Sequence, residues 1–177
     1  RSLKNNLQLY LDNKALVTPR LCNTNLLDVS FALNSQNKKE NNMPAEKIGS
    51  IKTTTTTKVL PANGLNPTFE VSAPDGSGTL AGTEVQSMAT YSSELRPDGT
   101  IYGECPNSGV IMAADGVATF RATGIGSFTE DGGATFKGMV YFQTSAPSLS
   151  SLNGAAVVYN WDVDPEGNAN WELWEWK

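Results

Sequence analysis

Residues 93–128 read SELRPDGTIYGECPNSGVIMAADGVATFRATGIGSF, and this stretch carries most of the information about the fold class. Turn signals stand at Pro97-Asp98-Gly99 and Asp115-Gly116, because Pro presets the first turn position and Gly adopts the positive φ that tight hairpins need. The segments at 100–114 and 117–129 are rich in β-branched and aromatic residues, which suit a pleated surface. The stretch therefore predicts two long antiparallel strands joined by a tight turn.

Turn signals of the same kind recur over residues 43–177. Further turn signals include Asn63-Gly64, Asp75-Gly76-Ser77-Gly78, Asp131-Gly132-Gly133, Asn153-Gly154 and Asp164-Pro165-Glu166-Gly167. They predict eight strands, near 47–60, 67–73, 79–95, 100–114, 117–129, 134–146, 154–163 and 169–176. Several exceed the usual length of about 5–6 residues, and long meandering strands coil and remove their edges by closing. We expect an all-β fold, a single antiparallel up-and-down barrel of about eight strands, with a β-sandwich as the alternative.

The composition changes near Met43. Residues 1–42 contain no Gly, nine Asn and nine Leu, with six basic and three acidic residues, whereas residues 43–177 have seven basic and fifteen acidic residues. This contrast predicts a β-barrel domain over 43–177, preceded by a poorly packed N-terminal extension over 1–42 that is disordered or forms a short helix. The helix alternative rests on the helical spacing of Leu3, Leu7 and Leu11.

The overall composition excludes several functional classes. The chain has no His, so it has no Ser-His-Asp or Cys-His catalytic apparatus and no His-ligated metal. The formal net charge of −5 argues against nucleic acid or an anionic membrane as partner, because phosphate binding depends on Lys and Arg. Apolar runs are too short to span a bilayer. We therefore expect a soluble, cytoplasmic protein without a cofactor, a nucleic-acid partner or a membrane partner.

Two local features have a simple structural interpretation. Asp162-Val163-Asp164-Pro165-Glu166-Gly167 imitates the opening of a calcium-binding loop, but the twelfth position is Leu173, where such loops carry a bidentate carboxylate. We interpret it as a β-turn and expect no metal site. The two cysteines, Cys22 and Cys105, do not make a disulfide framework and are expected to be reduced and inert.

Polar residues within the predicted strands are the candidates for a ligand site. If they face the lumen, they would form a polar pocket with a carboxylate and a guanidinium; if they follow the usual pattern, they face solvent. At Phe120-Arg121 only one of the two side chains can face inward, and composition favours Phe120. The predicted ligand-binding residues are Glu84, Tyr102, Glu104, Arg121, Tyr141 and Gln143.

The tryptophans offer a second set of candidates. Trp161 and Trp171 lie in the two last predicted strands and are expected in the core, whereas Trp174 and Trp176 could serve either as core or as a stacking platform for a ring.

Four separate blocks carry a resemblance to a known family. They lie at 93–104, 109–116, 137–145 and 152–177, in that order. Together they resemble a family of small bacterial proteins of unknown function, with calycin-like barrels similar to the allene oxide cyclase barrel. The resemblance covers roughly 47–177; the segment Cys105-Pro106-Asn107-Ser108 is longer than the family pattern. It implies a barrel fold and implies no activity.

Three functional classes remain open on sequence. The first is a barrel that binds a small apolar or amphipathic molecule in its lumen, which requires an internal cavity. The second is a His-free isomerase or cyclase that uses a lumenal carboxylate, Glu84 or Glu104, whose pKa would be raised by desolvation. The third is a structural module that forms homo-oligomers, which predicts a packed interior and an exposed apolar patch.

Overall fold

The structure, a computed structural model of the chain, describes residues 45–177. The predicted extension over 1–42 and Cys22 lie outside the described residues, so the domain boundary near Met43 stays a prediction. The described part contains nine strands and one 3₁₀ helix. The strands are β1 (Ala45–Thr54), β2 (Thr56–Asn63), β3 (Asn66–Leu80), β4 (Thr83–Leu95), β5 (Ile101–Ala113), β6 (Gly116–Phe128), β7 (Ala134–Thr144), β8 (Val157–Val163) and β9 (Asn168–Trp176).

The strands form one closed antiparallel barrel. From β3 to β9 each strand pairs with the next one in sequence, β9 pairs with β1, and β1 pairs with β3 to complete the circle. Eight strands make the barrel, and β2 is an extra strand that pairs with the first half of β3. The predicted up-and-down barrel is confirmed, and the sandwich alternative is wrong because the sheet closes on itself.

Closure is made by one long hairpin. β1 and β2 both run antiparallel to β3, with pairs that include Gly49–Leu80 and Thr56–Ser72. Where β1 ends, the carboxylate of Asp75 accepts hydrogen bonds from Thr53 Oγ1 at 2.7 Å, Thr54 N at 2.9 Å and Thr54 Oγ1 at 2.9 Å. Asp75 thereby fixes the point at which β1 leaves β9 and continues as β2.

The turn predicted at Asp75-Gly76-Ser77-Gly78 is wrong. β3 continues through this segment to Leu80 with a register shift between Ala73 and Gly76, and the chain reverses at Ala81-Gly82 instead. Glycine here lets the backbones of β1 and β3 approach closely, because a β-carbon on Gly78 would lie 2.1 Å from the carbonyl oxygen of Ser50. Gly78 is therefore required by the closing pair of β1 and β3.

Other predicted turns are confirmed. Gly99 N donates to the carbonyl of Arg96 at 3.0 Å, and Gly167 N donates to the carbonyl of Asp164 at 3.0 Å. Asp164 also caps its own turn, because its carboxylate accepts from the backbone and side-chain amides of Asn168, both at 2.8 Å. The segment that imitates a calcium loop is thus a hairpin turn between β8 and β9.

One end of the barrel is sealed by the chain itself. After β7, residues Pro147–Leu152 form the 3₁₀ helix, which buries Leu149 and Leu152 completely or nearly so. Asp115, at the neighbouring turn, holds this helix by accepting from Ser148 N at 2.9 Å and Ser148 Oγ at 2.7 Å. The core below the helix contains Leu80, Ile111, Val140, Val157 and Leu173. Any ligand site in the lumen must therefore open at the opposite end.

Candidate functional site

The end opposite the 3₁₀ helix holds an apolar cavity of about 170 Å³, which we call the open-end cavity. It lies where β3, β4 and β5 face the ends of β6, β7 and β8. Its apolar lining consists of Phe69, Val71, Leu95, Ile101, Phe128, Ala134, Phe136 and Val163. Its hydroxyl-bearing lining consists of Thr55, Thr57, Tyr91 and Ser93. No charged side chain borders it within residues 45–177.

Two aromatic residues, Tyr91 and Phe136, form the floor of the open-end cavity, and Trp161 packs against Tyr91. The rings of Tyr91 and Phe136 meet edge to face with centroids 6.4 Å apart, and those of Tyr91 and Trp161 with centroids 6.0 Å apart. Trp161 Nε1 donates a hydrogen bond to Tyr91 Oη at 3.0 Å. Edge-to-face packing and this hydrogen bond fix the orientation of the Tyr91 ring.

Beneath this floor lies a smaller space of about 60 Å³, which we call the inner void. Tyr91 and Phe136 border both spaces. The remaining wall of the inner void includes Cys105, Phe120, Ala122, Tyr159 and Trp171. Phe120, Phe142 and Trp171 pack with ring centroids 5.0–6.2 Å apart and fill most of the lumen. The lumen is therefore largely packed, and its accessible space lies at the open end.

Strand periodicity explains why these side chains face inward. On β4 the buried positions Val85 and Ser87 set a phase that continues through Ala89 and Tyr91 to Ser93. Small residues on the neighbouring strand make the space for large rings. A β-carbon on Gly126 would lie 2.6 Å from Phe136 Cδ1, so glycine at this position lets the Phe136 ring lie flat against β6.

Burial sets the protonation of the groups around these spaces. Loss of solvent raises the pKa of Tyr91 to about 12, although the hydrogen bond from Trp161 opposes part of that rise. Burial also raises the pKa of Tyr159 and that of the Cys105 thiol. All three groups are neutral at physiological pH, so Tyr91, Tyr159 and Cys105 offer hydrogen-bonding groups without charge. The raised pKa of Cys105 also makes it a poor nucleophile.

The six predicted ligand-binding residues occupy outward positions. Glu84, Arg121, Tyr141 and Gln143 are exposed on the outer surface, and Tyr102 is half-buried beneath Arg96, whose guanidinium carbon lies 4.9 Å from the ring centroid. Glu104 borders the inner void between the buried residues Gly103 and Cys105. Its carboxylate accepts a weak 3.5 Å hydrogen bond from the outward Tyr102 hydroxyl.

The sheet brings some of these residues together, but outside the barrel. Arg121 pairs directly with Tyr141 across β6 and β7, and Glu104 lies two residues from Tyr102 on β5. Glu84 lies on β4, at the sealed end of the barrel. Strand phase turns these side chains toward the outside of the barrel, which is the second of the two orientations that the sequence left open. Their role in ligand binding stays a prediction.

Two expectations about aromatic residues are confirmed. Phe120 is 4% exposed while Arg121 is exposed, so Phe120 is the inward member of that pair. Trp171 lies in the core at 6% exposure, and Trp161 packs against it with centroids 6.4 Å apart.

Tyr91 and Phe136 are the functional candidates that sequence reasoning missed. The only signal in the sequence was strand alternation, since each of these two aromatic residues lies an even number of positions from residues on its strand that face the core. On β4 that signal is weak because the inward residues Ser87 and Ser93 are polar while the outward Met88 is 48% exposed. Hydrophobicity alone therefore gives the wrong phase for this strand.

Comparison with solved structures agrees with the barrel. A conserved protein of unknown function from Rhodopseudomonas palustris matches with a TM-score of 0.64 and 14% identity, covering 74% of this chain and 95% of its own. A protein with unknown function from Clostridium acetobutylicum matches with a TM-score of 0.65 and 16% identity, covering 76% and 100%. A beta-barrel like protein from Acinetobacter baumannii matches with a TM-score of 0.63 and 11% identity, covering 75% and 95%. At these identities the likeness shows the fold alone.

No protein-family model matches the chain, and no curated protein sequence matches it. Within residues 45–177, no three His, Cys, Asp or Glu side chains are grouped so that they could hold a metal ion. No helix in that same part is long and apolar enough to cross a membrane.

Proposed function

We propose that this protein binds a small, uncharged, largely apolar molecule in the open-end cavity of its barrel. The observation that carries the proposal is the cavity itself, which is lined by eight apolar residues and four hydroxyl-bearing ones. Burial of apolar ligand surface supplies the binding energy, at about 25 cal/mol per Å². Ligand sites in proteins are typically concave, mostly apolar and supplied with a few polar groups, as this one is.

The size of the cavity limits the ligand. An engineered protein cavity of about 150 Å³ accommodates benzene, and the open-end cavity has about 170 Å³. The matching ligand is therefore of one-ring size. Tyr91 and Phe136 separate it from the inner void, so a longer ligand could extend inward only if these rings moved.

Titration with ethylbenzene, followed by two-dimensional ¹H–¹⁵N NMR, tests the proposal. We expect saturable shifts concentrated at β4, at the start of β7 and at the β8 end, where the cavity lies. Ala134→Phe fills the cavity from its half-buried rim and should abolish these shifts. Ala114→Phe, at the exposed turn of the sealed end, is the matched control and should leave them unchanged. Shifts that do not saturate, or that persist in Ala134→Phe, would refute binding at this site.

The finer family assignment belongs to the same proposal. A calycin-like barrel from a bacterial cytoplasm is consistent with the resemblance of the four sequence blocks and with three bacterial neighbours of similar fold. The proposal also holds that the protein binds neither nucleic acid nor a membrane, because its net charge is −5.

Association between copies of the chain is a second candidate, favoured by one feature of the outer surface. Met139, Val158 and Trp174 are directly paired neighbours across β7, β8 and β9 on the outward face. Tyr141 and Trp176 add exposed aromatic surface, at 51% and 55% exposure. Analytical ultracentrifugation tests this candidate: a dimer that Val158→Glu converts to monomers would support it, and a wild-type monomer at 100 μM would refute it.

A further inference from the structure

The hydroxyl of Tyr91 has one unused hydrogen-bonding function, its proton, and Tyr91 borders both the open-end cavity and the inner void. Its oxygen accepts from Trp161 Nε1 at 3.0 Å, while no group within residues 45–177 accepts the proton of Tyr91 Oη. A tyrosine hydroxyl can donate one hydrogen bond while it accepts another. Because Tyr91 borders both the open-end cavity and the inner void, this proton is available to a molecule bound there.

Trp161 also restricts where that donor points. Its N–H occupies one acceptor direction of the Tyr91 oxygen, and the edge-to-face contacts of Tyr91 with Phe136 and Trp161 restrain the ring. A donor held in place by its neighbours loses little entropy when it binds, which favours a specific polar contact. Ser93, buried at 6% exposure and two residues along the same face of β4, provides a second hydroxyl in the same cavity.

The surroundings select against charge. No Lys or Arg side chain borders the open-end cavity among the described residues, and its lining is mostly apolar. A carboxylate placed there would lose its hydration without gaining a cationic partner, which is far more costly than burying a carbonyl that accepts a hydrogen bond. The site therefore favours a neutral acceptor over an anionic one.

We propose that the ligand of the open-end cavity is an uncharged, ring-sized molecule with an acceptor oxygen, of the ketone or ester class, which accepts a hydrogen bond from Tyr91 Oη. This inference rests on the proposed function, since it assigns the chemistry of the same cavity. It adds that Tyr91 distinguishes a carbonyl compound from a hydrocarbon of the same shape, whereas the apolar lining without a cation disfavours the corresponding carboxylate.

Three probes of matched shape test the inference: ethylbenzene, acetophenone and benzoate, titrated into the wild type and into Tyr91→Phe. A neutral hydrogen bond contributes about 0.5–1.5 kcal/mol, so Tyr91→Phe should weaken acetophenone binding about two- to twelvefold. It should leave ethylbenzene within about twofold. Benzoate should show no saturable binding where acetophenone saturates. Thr123→Val, which removes an exposed hydroxyl on the outer face of β6, should change the affinity of neither neutral probe.

A direct readout accompanies the affinities. The carbonyl carbon of ¹³C-labelled acetophenone bound to the wild type should lie downfield of its position in an apolar solvent such as cyclohexane, as a carbonyl carbon does when its oxygen accepts a hydrogen bond. In Tyr91→Phe that displacement should be lost. A wild-type carbonyl carbon that resonates where it does in the apolar solvent would overturn the inference, even if the variant folds poorly.

The outcomes separate the two proposals. If ethylbenzene binds but Tyr91→Phe weakens both neutral probes equally, or neither, the cavity binds apolar molecules and the carbonyl inference is wrong. Tight benzoate binding would also overturn the inference. If ethylbenzene itself does not bind, the proposed function is wrong and the inference with it.

Discussion

The ring of Phe120 occupies the space directly over Gly109 on the neighbouring strand, where a β-carbon would lie 2.1 Å from Phe120 Cζ. The pair lies at the end of a β5 bulge, in which residues between Cys105 and Gly109 have no partners on β6. Asn107, within that bulge, adopts a positive φ of 64°. The bulge and the glycine together let Phe120 fill the middle of the lumen beneath the inner void.

Gly109→Ala should therefore destabilise the protein by about 1–3 kcal/mol, the usual cost of overpacking, because a rigid ring and a strand backbone cannot both yield. The urea-unfolding midpoint measures the effect. Gly103→Ala is the control on the same strand, since its β-carbon would lie an ordinary 3.4 Å from Phe136.

A second variant tests the cause. In a Phe120→Leu background the added methyl has room, so Gly109→Ala should cost about 1 kcal/mol less than in the wild type. Equal costs in both backgrounds would mean that the ring does not set the requirement for glycine.

The hydrogen bonds to the Asp75 carboxylate lead us to expect that the protein loses stability in acid. The Thr54 N–H and the hydroxyls of Thr53 and Thr54 lower its pKa to about 2, against about 3.9 in an unfolded chain. The unfolded state therefore binds more protons between these values, and stability falls as the pH drops from about 4 to about 2. Asp75→Asn should show a shallower decline over this range, measured by urea unfolding at a series of pH values.

Thr53→Ala removes one of the donors to Asp75 and should give an intermediate slope. A decline in Asp75→Asn as steep as in the wild type would contradict the assignment, because the acid sensitivity would then come from other carboxylates.

Much of the fold could be predicted from local signals. The turns at Pro97–Gly99 and Asp115-Gly116 require particular backbone conformations, which their residues supply. The segments between such turns form long strands, and a sheet of long strands has few arrangements other than a closed barrel that leave no free edge. The inward orientation of Phe120 could be predicted because its side chain is apolar while that of its neighbour Arg121 is charged. These features depend on residues close together in sequence, so a single sequence contains them.

The rest depends on contacts between distant residues. Gly78 resembles a turn residue, yet its partner Ile51 on β1 is 27 positions away, and only barrel closure explains why it lacks a side chain. Likewise, Ser87 and Ser93 face inward because the large rings of other strands fill the lumen opposite them. A strand pattern offers two phases, and polar residues on β4 gave no basis for choosing correctly.

Ala81 provides an example of a turn that sequence reasoning overlooked. It has a φ of 51° and Gly82 a φ of 76°, so both central residues of the β3–β4 turn are left-handed, as in a type I′ hairpin. A left-handed conformation costs an L-residue about 1–2 kcal/mol, and glycine avoids that cost but has greater entropy when unfolded. Ala81→Gly should therefore stabilise the protein by about 0.5 kcal/mol.

Thermal unfolding of Ala81→Gly measures this gain. Ala114→Gly, at the β5–β6 turn where the alanine has no positive φ, should be neutral or destabilising by about 0.5–1 kcal/mol. Destabilisation of Ala81→Gly to the same degree would show that packing of the Ala81 methyl group against the core outweighs backbone strain.

The burial of the Tyr91 hydroxyl leads us to expect that the protein loses stability in alkali. Burial holds its pKa at about 12, whereas an unfolded tyrosine titrates near 10. The folded state therefore retains a proton that the unfolded state loses between these values, and stability falls as the pH rises from about 10 to about 12. The Tyr91 share of this fall is on the order of 2 kcal/mol.

Tyr91→Phe should lower stability near pH 8 by about 1–3 kcal/mol, because Trp161 Nε1 loses its acceptor. It should also make the decline between pH 10 and 12 shallower, since phenylalanine has no proton to lose. Urea midpoints at pH 8 and pH 11 measure both effects. If the variant and the wild type lose the same stability between these two pH values, the hydroxyl is not buried as the structure places it. The donor proposed for the ligand would then already be in contact with bulk water.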